Sequence, residues 1–402
     1  MKEKLAIEGG APVRQTPFPR WPIWDKTEER LLLEVLHSGN WGMLNGTKVL
    51  AFEQAFAAFQ QANYGICVVN GTAAIEIALR AVGVGPGDEV ITTPYTFIAT
   101  VNAVITVGAI PIFVDIEPET AAIDINQIEE AITTRTRAIL PVHIAGQPAN
   151  LDGILAMSQK HQLRVVEDAC QSWGAEWRGQ RVGALGDLGT FSFQASKNIS
   201  AGEGGIIVTN DDQLADLCWS LHNVGRRKGG LWYEHVRQGG NYRMTEWQGA
   251  ILLAQLERAE DLARRRHENA LHLAAALQSI PGIDPLKVDS RVTRHAWHLF
   301  VFRYHREAFG GLPRQDFIAA LQAEGIPCSP GYVPLNESPA LLDGLRSLQT
   351  FRKDIPPPRA CPVAERLSKE EAVWLPQNLL LGGEQEINDI VTSIVKIQYW
   401  AN

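Results

Sequence analysis

Cysteine is scarce. The 402 residues hold five, Cys67, Cys170, Cys218, Cys328 and Cys361. They are odd in number and scattered, and no two stand in C-x-x-C spacing, which argues against both a disulfide framework and a zinc site. No metal is expected. No run approaches the ~18 apolar residues that a membrane span needs, and Met1-Lys2-Glu3-Lys4-Leu5 opens without an apolar signal core. A soluble cytoplasmic protein with no membrane partner is therefore expected. Basic excess is missing too: the formal net charge is -8. No basic stretch is interleaved with aromatics, so nucleic acid is not an expected partner. The short cluster Arg264-Arg265-Arg266 lies in a helical pattern and reads as a solvated helix face. Internal repeats, low-complexity tracts, the dinucleotide-binding glycine spacing and the Walker loop are absent as well.

What is present is an ordinary globular composition, 45% hydrophobic and 20% charged, long enough for one large domain and a smaller one. Residues 1–25 are rich in Pro, Gly and Trp and read as an extended arm. Leu31, Leu32, Val35 and Leu36 give helical spacing over 26–38, and a second helix is expected from Lys48 to about Gln61. Short apolar runs then alternate with helical stretches: 66–69, 89–92, 110–115, 138–142, 164–167, 190–193 and 205–209. Such alternation predicts an α/β fold with a mostly parallel sheet covered on both faces. The last two runs have no helix between them, so an antiparallel member is expected there. From about Ala250 one long polar-faced helix is expected to run through Arg266 to Leu277. Strand-like His298–Tyr304, a helix over 315–324, a loop at Asp354–Cys361 and a final helix over 385–398 complete a smaller α+β domain. The expected division is 1–25, 26–260 and 261–402.

The chemistry rests on two runs. Val165-Val166-Glu167-Asp168-Ala169-Cys170-Gln171-Ser172 is a strand ending in acid. Phe191-Ser192-Phe193-Gln194-Ala195-Ser196-Lys197-Asn198 leads to a lysine, with Gly202-Glu203-Gly204-Gly205 behind it. Taken singly, such a lysine is usually a solvated end and such an aspartate usually a cap. Together they are what pyridoxal phosphate chemistry requires. Lys197 can form an imine with an aldehyde cofactor, and Asp168 can keep a pyridine nitrogen protonated.

The run Val68-Val69-Asn70-Gly71-Thr72-Ala73-Ala74 reads as a strand, a turn and a helix start. Gly71 allows close approach, and free N–H groups at Thr72 and Ala73 would make an anion site for the cofactor phosphate. Plain N-capping is the commoner meaning of such a start. In Thr93-Pro94-Tyr95-Thr96-Phe97 an aromatic could lie on the pyridine ring. Tyr95 divides evenly between stacking and core, and Phe97 leans to stacking. Gln171 could donate to the ring oxygen. Ser192 alternates with Phe191 and Phe193, so it faces the other way and could reach the phosphate. Glu203 reads as a brace for the glycine loop rather than as an exposed side chain.

Asn70-Gly71-Thr72-Ala73, Pro94-Tyr95-Thr96-Phe97, Glu167-Asp168-Ala169-Cys170-Gln171, Phe191-Ser192-Phe193 through Lys197 to Gly205, Asn241-Tyr242-Arg243-Met244-Thr245-Glu246 and Val373-Trp374-Leu375-Pro376 form an ordered set over nearly the whole chain. The sequence resembles the DegT/DnrJ/EryC1/StrS family of pyridoxal phosphate-dependent sugar aminotransferases. Trp21-Pro22, Gly39-Asn40-Trp41-Gly42 and the two C-terminal blocks look most like the branch of glutamine:scyllo-inosose aminotransferases and 3-amino-5-hydroxybenzoate synthases. The resemblance implies fold type I, with a large seven-stranded sheet domain and a smaller α+β C-terminal domain. It implies a homodimer with shared sites, in which Asn241–Arg243 of one subunit reaches the cofactor phosphate of the other. Many relatives carry Asn at the position of Arg243. Here Arg243 could hold cofactor phosphate or the donor's carboxylate. The implied reaction carries an amino group from glutamine or glutamate to a keto-sugar or keto-cyclitol, with Lys197 as nucleophile and acid/base. The rivals are a dehydratase of the benzoate-synthase kind and a non-catalytic regulatory protein on the same scaffold.

Overall fold

The computed structural model describes residues 4–350 and 352–402. Residues 1–3, which belong to the expected arm and to the reading of the chain start, lie outside the described residues. In chain order the strands are β1 (Tyr64–Val68), β2 (Glu89–Thr92), β3 (Ile110–Phe113), β4 (Thr136–Ile139), β5 (Arg164–Asp168), β6 (Glu176–Trp177), β7 (Gln180–Arg181), β8 (Leu188–Ser192), β9 (Gly205–Thr209), β10 (Ile283–Pro285), β11 (Val292–Arg294), β12 (Leu299–Tyr304) and β13 (Ala372–Pro376). The main sheet has seven strands in the order β1-β9-β8-β5-β4-β2-β3. Its pairings are parallel from β8 to β3, and β9 runs against both β8 and β1. The antiparallel member therefore sits where the missing helix placed it.

Both faces of this sheet are covered, which is why its strands read as unbroken apolar runs. Val90, Ala138 and Val166 pack under the helices Gly71–Ala81 and Asp212–His222, while their neighbours Ile91, Ile139 and Val165 enter the core on the opposite face. A second sheet, β10-β12-β13, is antiparallel. Phe300 and Phe302 point from it toward Ile387, Ile390, Ile394 and Ile397, the apolar stripe of the helix Glu384–Ala401. Val301 and Trp374 point the other way and join the core of the main sheet. That alternation brings the C-terminal strand to the edge of the site. A third small sheet joins β11, β6 and β7. No helix among the described residues is long and apolar enough to cross a membrane.

Three expectations need correction. The long helix from Ala250 to Leu277 is two helices, Glu246–Glu257 and Ala259–Leu277. The break falls at Arg258, whose φ is -102° and ψ 1°. Its guanidinium turns to the arm and pairs with Asp25 and Glu28, contacts that a helical periodicity does not contain. The arginine cluster is not a uniform solvated face. Arg264 is exposed, but Arg266 is 0% exposed. The Arg266 guanidinium lies 5.0 Å from the Trp21 ring centroid, and its Nε donates to Gln377 Oε1 at 2.7 Å. Burial draws its pKa down to about 9. Glu203 is exposed, and at this position it is the backbone carbonyl that accepts a bond, from Gln248 Nε2 at 2.8 Å.

Candidate active site

One cavity of about 620 Å³ opens at the C-terminal ends of β5 and β8, and Asp168, Gln171, Ser192 and Lys197 all line it. This is the edge at which parallel sheets present their loops. The acid pair at the end of β5 splits by strand alternation. Glu167 turns into the protein, fully buried, and takes Nε2 of His143 at 2.9 Å together with the N–H groups of Gly183, Leu185 and Gly186. His143 Nδ1 accepts from Ala149 N, so the proton on its ring faces Glu167. Burial alone would raise the Glu167 pKa. The bonds from His143, Gly186 and Gly183 outweigh it and hold the carboxyl below its ordinary range. Asp168 turns to the cavity. Its Oδ2 accepts from Thr100 Oγ1 at 2.7 Å, and its Oδ1 accepts from Cys170 N at 3.2 Å. Thr96 Oγ1 stands 2.9 Å from Thr100 Oγ1. Since the Thr100 hydrogen is committed to Asp168, Thr96 is the donor in that pair.

Lys197 hangs from a tight turn in which its N–H donates to Gln194 O at 2.8 Å. Trp21 Nε1 donates to its carbonyl at 3.0 Å, so the arm holds the lysine turn from outside. The residue is half-buried, and its amine is packed deeply enough that burial lowers its pKa; Cys170 and Asp168 pull the other way. Phe191 and Phe193 enter an aromatic cluster with Phe52 and Phe56 at centroid distances of 5.2 to 5.3 Å. Ser192 faces the other side, toward the helix Gly71–Ala81. A Cβ on Gly71 would stand 2.8 Å from Ser192 Cβ and 3.0 Å from Cys170 Sγ, so only glycine lets this helix start so close to β8. Gly205 plays the same part from β9, where a Cβ would lie 2.5 Å from the Asn70 carbonyl.

Side by side, the expected groups mostly meet, with four refinements. Ala73 N–H is not free, because Asn70 Oδ1 caps it at 2.9 Å. The N–H groups of Gly71 and Thr72 are left for an anion. Tyr95 is 0% exposed, and its hydroxyl accepts from Trp374 Nε1 at 2.9 Å, which makes it core. Phe97 is 55% exposed on the cavity wall, with its ring centroid 6.2 Å from that of Tyr332. Gln171 is held at both ends: Oε1 accepts from Ala145 N at 2.7 Å, and Nε2 donates to Tyr332 Oη at 2.9 Å. One of its amide hydrogens therefore remains for a ligand.

Asn241 and Arg243 do not line this cavity. Arg243 bridges to Val68, and its guanidinium donates to Asn223 Oδ1 at 2.8 Å.

Sequence reasoning missed the wall contributed by the C-terminal part of the chain. His298, Leu299, Tyr332 and Trp374 close the cavity opposite the sheet. The Tyr332 hydroxyl is pushed above its ordinary pKa by burial and then by Asp168, so it stays a donor. Thr100 was missed as well, although a hydroxyl one turn beyond Thr96 in Thr96-Phe97-Ile98-Ala99-Thr100 was a readable signal.

A strand-end acid, a buried lysine amine and a helix N-terminus in one cavity of an α/β sheet define the fold-type-I pyridoxal phosphate class of transferase. Within that class, the chain belongs to the DegT/DnrJ/EryC1/StrS aminotransferase family, whose model matches residues 22–395. It is 34% identical to the L-glutamine:2-deoxy-scyllo-inosose aminotransferase of Streptoalloteichus tenebrarius, covering 99% of this chain and 98% of the relative. It is also 34% identical to the 3-amino-5-hydroxybenzoate synthase of Amycolatopsis mediterranei, covering 93% and 96%. A crystal structure of a 3-amino-5-hydroxybenzoic acid synthase superposes with a TM-score of 0.88 at 32% identity, over 96% of this chain and all of that one. The protein is therefore an enzyme of the aminotransferase class.

Proposed function

We propose that the cavity holds pyridoxal 5′-phosphate and that the enzyme carries an amino group from glutamine or glutamate to a keto-cyclitol or keto-sugar. The observation that carries this reading is the convergence of Lys197, Asp168, Ser192 and the Gly71 helix start on one cavity. The donor set fits the group: an amine for the aldehyde, a carboxylate for the ring nitrogen, a hydroxyl and free N–H groups at a positive helix end for the phosphate. When bound, the cofactor supplies an electrophilic carbon and an electron-accepting ring. Lys197 is the nucleophile. Its amine, when free, would move the proton at the donor Cα. A lowered pKa keeps more of that amine unprotonated. Asp168, steadied by Thr100 and the Cys170 N–H, holds the proton on the ring nitrogen. Phe97 would cover the ring, and the spare Gln171 hydrogen would serve the ring oxygen.

Residues 26–260 are taken as the cofactor domain and 261–402 as the small domain, with 1–25 as an arm. The enzyme acts as a homodimer in the cytoplasm, and Asn241 and Arg243 serve the neighbouring subunit's site, where Arg243 holds cofactor phosphate or the donor's carboxylate. Leu231, Trp232 and Tyr233 support the dimer: they are 80%, 57% and 82% exposed just upstream of Asn241–Arg243, an apolar patch that a monomer would seldom leave to water. The likeness to benzoate synthases favours a second reading, loss of water with aromatisation on a related ring ketone.

Holoenzyme mixed with single amino donors and then with a panel of keto-cyclitols and keto-sugars separates these readings. Loss and return of the cofactor's visible band, with an aminated product by mass, is expected. A product lighter by water supports the second reading, and an unchanged band with every donor refutes both. For the dimer, Lys197→Ala and Arg243→Ala subunits are mixed after reversible dissociation. Recovered activity is expected, because one mixed site carries neither lesion. No recovery from confirmed mixed dimers would mean that Arg243 acts within its own subunit or not at all.

A further inference from the structure

His298 immediately precedes β12 and forms part of the cavity wall beside Lys197, Leu299 and Tyr332. It is buried at 7% exposure. Its Nδ1 lies 3.1 Å from Asn198 Oδ1, and the neighbour fixes the direction of that bond. Asn198 Nδ2 donates to the carbonyl of Ala296 at 2.8 Å. A carbonyl can only accept, so the Asn198 amide is oriented with its oxygen on the histidine. An amide oxygen also only accepts, so the proton must be on His298 Nδ1. Nε2 then carries a lone pair. It has no partner among the described residues, yet it does not belong to the enclosed polar atoms left without one, so it faces the open cavity.

A second proton on this ring is strongly opposed. Burial, Lys197 and then Arg266 hold the imidazole well below its ordinary pKa. Lys197 sits on the cavity side. Arg266 lies within the helix Ala259–Leu277, with two guanidinium nitrogens that have no hydrogen-bond partner among the described residues. A histidine with one nitrogen satisfied and the other open to a ligand cavity is more than a core residue. It presents an acceptor that does not switch.

We propose that His298 is the acceptor-recognition group of this enzyme: locked as the Nδ1–H tautomer by Asn198, it takes a hydrogen bond at Nε2 from a hydroxyl of the keto substrate. Asn198 is its positioning residue. The neighbouring Tyr332 hydroxyl, which already accepts from Gln171, supplies a donor on the same wall. The donor–acceptor pair matches a polyhydroxylated ring and matches a plain ketone poorly. This inference rests on the aminotransfer reading and names the substrate feature within it.

Two measurements test it. In 15N-histidine spectra of the full chain, with no substrate added, His298 should show the Nδ1–H pattern throughout pH 6 to 8.5, and Asn198→Ala should lose it. An Nε2–H pattern or an imidazolium in the wild type overturns the proposal, whatever the turnover experiments give. In the half-reactions, His298→Leu should slow transfer to a hydroxylated ketone of the panel about tenfold to a hundredfold more than it slows reaction with the amino donor. His298→Gln, which can place an amide oxygen near Nε2, should recover part of that loss. The excess penalty should vanish with cyclohexanone. Equal loss in both half-reactions, or equal loss on both ketones, would make His298 structural. Failure of the donor half-reaction in the wild type would instead break the aminotransfer reading and leave the tautomer result standing.

Discussion

The two walls of the cavity are built differently. The sheet wall comes from short contiguous motifs: Asp168 and Gln171 share one strand end, Ser192 and Lys197 another, and Gly71 starts a helix. The backbone of each motif sets which way its group points, and Thr100, Ala145 and Tyr332 then steady Asp168 and Gln171. The opposite wall comes from residues far apart in the chain, His298, Tyr332 and Trp374, and each is aimed by a distant partner. Asn198 orients His298, Gln171 meets Tyr332, and Tyr95 meets Trp374. Under the proposed function, the amino-transfer chemistry belongs to the first wall and discrimination between ketones to the second, where a changed partner would change aim without touching the reacting groups.

This division predicts graded losses. Lys197→Ala should be the most damaging, removing the visible band and lowering the donor half-reaction by about a thousandfold or more, because one group serves as nucleophile and base. A mutant that keeps band and rate would remove Lys197 from the sheet-wall machinery. Asp168→Asn should retain cofactor but slow the half-reaction by roughly a hundredfold, since the ring nitrogen loses its anionic partner. Equal rates in mutant and wild type, by stopped-flow, would place that partner elsewhere.

Glu167→Gln should act on stability instead. The buried carboxylate accepts hydrogen bonds from His143 and from the N–H groups of Gly183, Leu185 and Gly186, and weakening such charge-assisted bonds costs about 3 kcal/mol, read as a lower denaturant midpoint. The Glu167 carboxyl sits below its ordinary value of 4.5 when folded, so its contribution is complete above that pH and is lost as the pH falls through the folded value. The difference between mutant and wild type should therefore shrink below pH 4.5; a difference that instead grows on acidification would contradict the sign. Tyr332→Phe should be mildest. It removes one neutral hydrogen bond, worth about 1 kcal/mol, and should reduce keto transfer about fivefold with less effect on the donor half. A larger effect on the donor half would blur the two walls.

Much of the sheet wall was legible because its information is local. Strand alternation separates Ser192 from its phenylalanine neighbours, and an unbroken apolar run with no helix behind it marks the antiparallel β9. Alternation also explains why Glu167 and Asp168, adjacent in the chain, do different work. Local pattern misled where a distant group intervened. Arg258 breaks a helix to reach Asp25 and Glu28, and Arg266 is buried under Trp21 although its neighbours are solvated. The Ala73 N–H was counted as free because the Asn70 cap depends on one rotamer.

By itself, then, the sequence determined the alternating α/β order, the strand ends that carry acid and lysine, and the glycines that bring helix and strand together. Those features depend on backbone periodicity and on steric room within a few residues. Tertiary structure alone decided which side chains face the cavity from the C-terminal sheet, which nitrogen of His298 holds the proton, and that Tyr95 is core. Those outcomes depend on single hydrogen bonds between residues about a hundred or more positions apart, and no periodicity in the chain records such bonds.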